Sequence, residues 1–279
     1  MDILIADSGG TKTDWLGSDG REKQTIGLNP NQVDEASARR VLTEEVKPWL
    51  QGQPEKIYFF GAGLGTELRK KQMDGLLRLV FPQADIRTET DLMGAAYACL
   101  GRRPGVTGIL GTGSVAFRYD GRAITERRGG LGYLLGDEGG GTSLGRSFLR
   151  VLLGDGLPGY LEQAYMEHSG LDRERLMATL YNHPQPQRFL AELVPLLARF
   201  RDRDSIRTLL LKSLLFYVEE VLRPLHCGKE PIVLMGGITR AFPELVAHAC
   251  SKAGLHHATI LEQNPIRMLA QFLTQEEGT

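Results

Sequence analysis

Two short glycine-rich segments, each directly after an apolar run, do most to limit the folds open to this chain. The first, Asp-Ser-Gly-Gly-Thr-Lys-Thr at 7–13, follows the apolar run 3–6. The second, Gly-Thr-Gly-Ser at 111–114, follows the apolar run 106–110. After each segment a strand-like pattern resumes, which is typical of a tight hairpin between two strands. The chain therefore consists of two halves that share a topology although they share few letters.

Each half is predicted to begin with three strands and to continue with alternating strands and helices. In the second half a long helical segment, at about 143–225, separates the opening strands from the rest. The remaining expected elements are strands at 13–16, 23–26, 57–60, 86–89, 115–119, 123–126, 231–235 and 259–261, and helices at 33–50, 66–81, 91–100, 240–253 and 265–273.

This order of elements predicts an α/β protein with two lobes, 1–105 and 106–279, and a helical insertion in the second lobe. Ligands of open α/β sheets bind beyond the ends of the strands. A cleft between the two lobes is therefore expected to hold the functional site.

The composition excludes several classes of function. The 279 residues carry a formal net charge of -1, so no bulk attraction to nucleic acid or to an anionic membrane is expected. No signal-peptide pattern opens the chain, and charges interrupt the apolar stretches before they reach membrane-spanning length. Cys99, Cys227 and Cys250 lie far apart without a CxxC pair, which favours reduced core thiols over disulfides or a zinc site. A cytoplasmic protein is expected.

The first glycine-rich segment has the chemistry of a phosphate-binding turn. Its two glycines let the backbone approach an anion closely, its threonines add hydroxyl donors, and its lysine adds a positive charge. The candidate phosphate ligands are Gly9, Gly10, Thr11, Lys12 and Thr13. Asp7, at the end of the strand, is a candidate for holding Mg2+ directly or through water. An ordinary hairpin turn is the alternative, and the GxxxxGK[ST] spacing of a Walker A loop is absent.

The second segment offers the same chemistry through Gly111, Thr112, Gly113 and Ser114. With Ala116 it also fits the G-x-G-x-x-[GA] dinucleotide fingerprint. That fingerprint requires a helix immediately afterwards, whereas residues 115–121 alternate and turn as a hairpin does. A dehydrogenase is therefore excluded by the context of the motif.

A third glycine-rich stretch, Gly-Asp-Glu-Gly-Gly-Gly at 136–141, contains two adjacent carboxylates. Glycine opposes helix, so these carboxylates are not expected on a solvated helix face. Asp137 and Glu138 are therefore candidates for binding a ligand, either by accepting hydrogen bonds or through a metal-bound water. A plain glycine-rich linker remains the alternative.

Three further positions stand where a strand gives way to a turn or helix. Asp91 is expected between a strand and a helix, where it is either a helix N-cap or a base that accepts a proton from a substrate hydroxyl. Gly236 and Gly237 end the strand at 231–235, and either form a simple turn or let a nucleotide lie against the backbone. Asn29, in Gly-Leu-Asn-Pro-Asn, is a turn residue or a ligand for a sugar hydroxyl.

In this order the motifs resemble one superfamily, the actin, hexokinase and Hsp70-like ATPases. Within it the chain resembles the N-acetylglucosamine kinase or BadF/BadG-type ATPase family over nearly its whole length. The most specific stretch, 129–145, is similar to the family's GGWGxxLGDEGSG segment. Residues 7–13 are similar to its first phosphate motif, residues 111–114 to its second, and residues 235–238 to its adenosine motif.

The resemblance implies two ribonuclease-H-like lobes and transfer of phosphate from ATP to the 6-hydroxyl of an amino sugar, with Asp91 as the general base. It implies phosphate contacts from the two hairpins, adenosine contacts from Gly236 and Gly237, and Mg2+ near Asp7. The implied sugar contacts are Asn29, Asp91, Thr112, Gly113 and Asp137. A homodimer is also implied, and so is a last helix that packs back on the first lobe. The apolar residues between 189 and 225 either supply the dimer surface or belong to the core.

Several positions depart from the family pattern. Ser8 replaces a glycine, which is tolerable if its φ is negative. Leu131 stands where a tryptophan is usual and Gly140 where a serine is usual, and both border the expected sugar site. The run Pro-Ile-Arg-Met-Leu at 265–269 lacks the family's Gly-Ala pair, which suggests altered packing of the last helix.

Two other functions remain open at this stage. Some relatives are ATPases that activate a partner dehydratase through a [4Fe–4S] cluster, which needs closely placed cysteines. A relative that binds sugar or ATP without turnover is the other possibility, although Asp7, Lys12, Asp91 and Asp137 are all present.

Overall fold

A computed structural model describes residues 2–154, 159–226 and 228–277, so Cys227 lies outside the described residues. The chain divides into two compact units. The first unit contains Met1–Arg102 and Gln263–Thr279, and the second contains Arg103–Glu262.

The first unit is built on a five-stranded mixed sheet in the order β3-β2-β1-β4-β5. The strands are β1 (Ile3–Ser8), β2 (Lys12–Gly17), β3 (Glu22–Ile26), β4 (Lys56–Gly61) and β5 (Asp85–Thr90). The first three strands form an antiparallel meander, and β4 and β5 continue the sheet in parallel with β1. This arrangement brings the carboxyl ends of β1, β4 and β5 to one edge, where ligands of open α/β sheets bind.

Helices flank this sheet. Asp34 caps the first of them by accepting a hydrogen bond from Ser37 N, and Thr66 caps the helix Glu67–Val80 by accepting one from Arg69 N. The predicted helix at 33–50 is one helical stretch in three parts with a π-helical middle. The segments are α1 (Glu35–Arg40), the π-helix Val41–Val46, α2 (Lys47–Trp49), α3 (Glu67–Val80) and α4 (Asp91–Leu100).

The second unit repeats the plan with a sheet in the order β10-β9-β6-β7-β8. Its strands are β6 (Gly105–Leu110), β7 (Ser114–Tyr119), β8 (Ile124–Gly129), β9 (Ile232–Met235) and β10 (Ala258–Ile260). The strands β6, β7 and β8 form the antiparallel meander, and β9 and β10 are parallel to β6. The shared topology of the two halves is thus present as two five-stranded sheets.

A helical insertion follows β8. Its segments are α5 (Gly141–Leu153), α6 (Gly159–Ser169), α7 (Arg173–Asn182), α8 (Pro186–Ala191), α9 (Val194–Arg199), α10 (Asp204–Phe216), the π-helix Tyr217–Leu222 and the 3-10 turn Arg223–Leu225. Its apolar side chains, including Leu190, Leu197 and Leu214, are buried in the core of the second unit. The core interpretation of residues 189–225 is therefore confirmed.

The single helix predicted at 240–253 is wrong. The structure has two helices, α11 (Gly237–Ala241) and α12 (Pro243–Lys252), with Phe242 between them at φ -135° and ψ 52°. Pro243 lacks a backbone N–H and disfavours the helical conformation of the residue before it, so the chain turns at Phe242.

The last helix, α13 (Pro265–Glu277), belongs to the first unit. Ile266, Leu269 and Leu273 bury their side chains against the face of the sheet that carries Ile5 and Tyr58. On the same side the ring of Phe272 stacks on Tyr97 of α4, with centroids 4.6 Å apart. Large apolar side chains thus fill the contact at which the resemblance led us to expect small residues.

No helix among the described residues is both long enough and apolar enough to cross a membrane.

Leu269→Ala is expected to lower the free energy of unfolding by about 2–5 kcal/mol, because it leaves a cavity under a side chain that is only 1% exposed. Gln271→Ala, at an exposed position of the same helix, is the matched control and should change it by less than about 0.5 kcal/mol. Urea denaturation of both variants measures the difference. Equal stabilities would show that α13 is not part of the cooperative fold.

Candidate active site

The hairpin between β1 and β2 is held by backbone hydrogen bonds. Gly9 N donates to Lys12 O (2.9 Å), and Gly27 N donates to Thr11 O (3.1 Å). Gly27 has to be glycine, because a Cβ there would lie 2.5 Å from Gly9 O. The segment after β3 therefore supports the hairpin from behind, while Gly10 is exposed at its tip.

Carboxylates gather at the strand ends beside this hairpin. Burial raises the pKa of Asp7 to about 7, and the nearby charges of Asp91 and Asp14 add to the rise, against a smaller lowering by Lys12. Asp14 faces Asp7 across the β1–β2 ladder, binds Lys12 Nζ at 2.8 Å and accepts a hydrogen bond from Gln24 Nε2 at 2.7 Å. Sequence reasoning missed Asp14, although a hairpin that pairs Ser8 with Thr13 also pairs Asp7 with Asp14.

These carboxylates fit a Mg2+ ion of the kind that the family resemblance implies. Among the described residues no group of three or more His, Cys, Asp or Glu side chains is arranged to hold a metal by itself. Mg2+ usually binds through one or two carboxylates together with phosphate oxygens and water, so a complete protein cage is not needed. A cation beside Asp7 would also offset the charges that raise its pKa.

Asp91 is the first residue of α4 and is not its N-cap. Thr90 occupies the cap position, and its hydroxyl accepts a hydrogen bond from Met93 N (3.2 Å). The N-cap interpretation of Asp91 is therefore wrong. The carboxylate of Asp91 is partly buried and accepts from its neighbour Leu92 N at 2.9 Å. Its charge acts on Asp7, so the two carboxylates share one edge of the sheet.

Asn29 forms the turn that follows β3. Its side-chain Oδ1 accepts from Asn31 N (2.9 Å), and its backbone carbonyl accepts from Gln32 N and Val33 N. The turn interpretation of Asn29 is thus confirmed. Because Oδ1 is already engaged, the amide Nδ2 is the group with which Asn29 can contact a ligand.

The hairpin of the second unit is tied to the 136–141 segment. Ser114 N donates to Asp137 Oδ1 (3.2 Å), and Ser114 Oγ donates to Glu138 O (2.6 Å). Thr142 donates to Thr112 O through both its backbone N and its hydroxyl. Specific hydrogen bonds to the hairpin therefore hold the 136–141 segment as a loop, and it is not a plain linker.

Asp137 is held in an unfavourable backbone conformation. Its φ of 66° is the only positive value at a non-glycine position among the described residues. The side chain is 8% exposed, and burial raises the pKa of its carboxyl although the hydrogen bond from Ser114 N opposes the rise. Backbone strain at a buried carboxylate is a feature of ligand sites. Oδ2 makes no hydrogen bond to the described residues and can accept one from a ligand.

Two predicted phosphate ligands direct their hydroxyls into the protein. Thr13 is fully buried and donates to Ile26 O at 3.0 Å, and Ser114 is 4% exposed and donates to Glu138 O. A phosphate contact through either hydroxyl would break an existing hydrogen bond. The hydroxyls of Thr13 and Ser114 are therefore poorly placed for the phosphate contact that the sequence predicts.

The local structure accounts for Ser8 and Gly140, two of the departures from the family pattern, and gives no explanation for Leu131. Ser8 has a negative φ, as required. Gly140 lies so close to the second hairpin that a Cβ would sit 2.7 Å from the backbone of Gly113, which leaves no room for serine. Leu131 is 63% exposed, and Leu134 and Leu135 beside it are 76% and 79% exposed.

Gly236 supports the second hairpin at close range. Its φ is 119°, and a Cβ would lie 2.2 Å from Leu110 O. Gly237, the first residue of α11, has open space around it and is exposed. The two glycines thus differ in kind, since the first is required by packing while the second leaves a free surface.

The described cysteines are buried core residues. Cys99 lies on α4 of the first unit and Cys250 on α12 of the second, and they are 8% and 3% exposed. Burial raises the pKa of the Cys250 thiol to about 11, so it stays protonated near neutral pH. Iron ligation requires a thiolate, so Cys250 is poorly suited to it.

Comparison with known proteins identifies relatives over most of the chain, although no protein-family model matches it. The structure superposes on the “Putative N-acetylglucosamine Kinase” of Porphyromonas gingivalis with a TM-score of 0.93, 32% identity and 99% coverage of both chains. A protein of the same description from Chromobacterium violaceum gives a TM-score of 0.72 at 20% identity over 98% of both chains. The curated N-acetyl-D-glucosamine kinase of Dictyostelium discoideum is 26% identical over 265 residues, 83% of each chain.

The two sheets with their glycine hairpins define an actin-like ATPase fold. Within that class, the chain belongs to the N-acetylglucosamine kinase and BadF/BadG-type ATPase family.

Asp7→Asn is expected to gain thermal stability relative to the parent chain as the pH rises from about 4 to about 8. The Asp7 carboxyl ionises near pH 3.8 in the unfolded chain and near pH 7 in the folded chain. The stability of the parent chain therefore falls as the pH rises between these two values, and the loss is complete above the higher one. Asparagine does not titrate. The difference in Tm, measured in EDTA at several pH values, should therefore increase. Asp85→Asn, at an exposed position, is measured alongside as the control. A difference in Tm that does not change with pH for Asp7→Asn would contradict the shift.

Gly236→Ala is expected to lower the free energy of unfolding by about 2 kcal/mol or more, because a Cβ collides with the backbone of Leu110. Gly237→Ala is the matched control and should stay within about 0.5 kcal/mol of the parent chain. Chemical denaturation of the pair measures both values. A tolerated Gly236→Ala would mean that the second hairpin can move away from β9.

Proposed function

We propose that this chain transfers the γ-phosphoryl group of ATP to the 6-hydroxyl of an amino sugar related to N-acetylglucosamine. The observation that carries the proposal is the pair of carboxylates, Asp7 and Asp91, at the strand ends beside a glycine hairpin. The relatives named N-acetylglucosamine kinase support the choice of reaction and of acceptor.

In the proposed reaction Asp91 accepts the proton of the sugar hydroxyl as its oxygen attacks the γ-phosphorus. The new bond joins the sugar oxygen to phosphorus, and the bond from phosphorus to the β,γ-bridging oxygen breaks, which releases ADP. Asp91 suits the role because Thr90 has taken over the capping of α4. The N-cap position of α4 is thus filled by Thr90 and not by the proposed base.

The first hairpin is proposed to bind phosphate through its backbone and Lys12. Lys12 Nζ pairs with Asp14 at 2.8 Å, and this pair holds its ammonium group near the hairpin. Asp7 would hold Mg2+ directly or through water, and the ion would neutralise charge on the phosphates. The bound cation also makes the ionised form of Asp7 favourable near neutral pH.

In the second unit, Asp137 is proposed as an acceptor for a sugar hydroxyl through Oδ2, with Ser114 N fixing the other oxygen. The backbone of Gly111–Ser114 is proposed to bind phosphate, with Thr112 and Gly113 also contacting the sugar. Gly237, with open space beside it, and Gly236 are proposed to contact the adenosine. Asn29 would donate from Nδ2 to the sugar.

An ATPase that acts on a protein partner through an iron–sulfur cluster has less support. The Cys99 and Cys250 thiols are buried, each in a different unit, and the pKa of Cys250 is raised to about 11.

A homodimer stays a proposal from the family alone, because the apolar side chains of 189–225 are used within the core.

The function is tested by release of ADP from Mg-ATP in the presence of N-acetylglucosamine, glucosamine, N-acetylmannosamine, N-acetylmuramic acid or glucose. Release that depends on one amino sugar, with a 6-phosphate identified by NMR, is the expected result. Slow release that is independent of every sugar would overturn the amino-sugar proposal and favour an ATPase with another acceptor or a protein partner. No release at all would favour a binding protein without turnover.

Asp91→Asn is expected to lower kcat roughly 100- to 10,000-fold, because it removes the base but keeps the shape and the helix cap. Binding of sugar and nucleotide, followed by calorimetry, should change little. Glu89→Gln is the control, since it alters a neighbouring carboxylate that pairs with Lys70 on the protein surface. Turnover near that of the parent chain in Asp91→Asn would remove Asp91 from the role of base.

A further inference from the structure

A chain of buried hydrogen bonds connects the first hairpin to the turn of Asn29. Leu28 N lies 3.0 Å from Ser8 Oγ, Ser8 Oγ lies 2.8 Å from Thr13 Oγ1, and Thr13 Oγ1 lies 3.0 Å from Ile26 O. Ser8 and Thr13 are both fully buried. The chain lies within the first unit and joins residues on three strands and the segment after them.

The direction of every proton in this chain follows from its two ends. Leu28 N–H can only donate, so Ser8 Oγ accepts there. Ile26 O can only accept, so the single hydroxyl proton of Thr13 goes to it. The hydroxyl proton of Ser8 is then donated to Thr13 Oγ1. No hydroxyl proton remains for a ligand, and each member depends on its neighbour.

The carbonyl of Ile26 also accepts a hydrogen bond from a second buried chain. Trp15 Nε1 donates to Thr25 Oγ1 (2.9 Å), and Thr25 Oγ1 donates to Ile26 O (3.2 Å). Trp15 is fully buried. The segment 26–28 is thus anchored by buried side chains on one side and by the Gly27 to Thr11 hydrogen bond on the other.

We propose that Ser8 is a positioning residue that couples the nucleotide hairpin to the acceptor-sugar turn at Asn29. Its hydroxyl fixes Leu28, the residue directly before Asn29, to the strand that leads into the hairpin. When a nucleotide orders the hairpin, Ser8 transmits that order to the turn. The inference rests on the proposed function, since it gives Asn29 a contact with the sugar.

The glycine that is usual at this position in the family has no side chain with which to make these hydrogen bonds. Replacing Ser8 by Ala or Gly leaves the buried N–H of Leu28 and the acceptor of Thr13 without a partner. The hairpin itself keeps its backbone hydrogen bonds, so the loss is expected to appear at the Asn29 turn. The effect is therefore expected when sugar and nucleotide are bound together, and not in the binding of ATP alone.

Ser8→Ala should raise the KM for the amino sugar about 3- to 10-fold, as expected for loss of one buried hydrogen bond. Because coupling between two ligands is reciprocal, the Kd of Mg-AMPPNP at saturating sugar should rise by a similar factor, while its Kd without sugar should change less than about 2-fold. Thr13→Val should raise the sugar KM by a similar factor. Thr13→Ser keeps the hydroxyl and should therefore keep the KM of the parent chain. Thr107→Val is the control and should leave these values unchanged, because the fully buried Thr107 hydroxyl of β6 has no hydrogen-bond partner among the described residues.

The double variant that combines Ser8→Ala with Asn29→Ala tests whether Ser8 acts through Asn29. If it does, Ser8→Ala should add little to the sugar KM once Asn29 is gone. A full additional effect in that background would overturn the inference, and so would an unchanged sugar KM for Ser8→Ala alone. Parent-chain turnover without dependence on sugar would instead contradict the proposed function.

Amide hydrogen exchange tests the coupling without any turnover. Mg-AMPPNP should slow the exchange of residues 28–33 in the parent chain and fail to slow it in Ser8→Ala. Equal protection in both proteins, or none in the parent chain, would overturn the role of Ser8 whatever the acceptor is.

Discussion

The burial of Asp7 beside Asp91 is the interaction on which the organisation of the first unit depends. Burial disfavours the charged form of the Asp7 carboxyl and the neighbouring charge of Asp91 adds to that cost, so the pKa of Asp7 is raised to about 7. The surrounding structure keeps them together: the meander fixes Asp7 and Asp14 in register, and the Thr90 cap fixes the start of α4. Such an arrangement would suit the proposed Mg2+ ion, because a cation beside Asp7 favours the ionised form of its carboxyl.

Much of the fold could be predicted because glycine and apolar runs mark the ends of strands strongly. These signals at the strand ends predict the two meanders and the parallel strands at 57–60, 86–89 and 231–235. The break at Phe242 was missed because the apolar spacing continues past Pro243, and only the conformation of the chain shows the turn. The side of the sheet on which α13 packs depends on tertiary contacts, which periodicity does not report.

The candidate site was predictable in its motifs and less so in its side chains. Thr90 and Asp91 are both good cap residues one position apart, and the sequence does not choose between them. The direction of the Thr13 hydroxyl depends on the register of β1 and β2, in which Thr13 faces Ser8. Asp14 was missed for the same reason. Strand register is set by the whole sheet, so a motif alone cannot supply it.

Asp137 stands in a segment where glycine occupies positions 136, 139, 140 and 141, and its own backbone adopts the conformation that glycine prefers. Replacement by glycine would relieve the backbone strain, and it would also remove the carboxylate that accepts from Ser114 N and is proposed to bind the sugar. Position 137 is thus a place where a more relaxed backbone and retention of the proposed activity are in conflict.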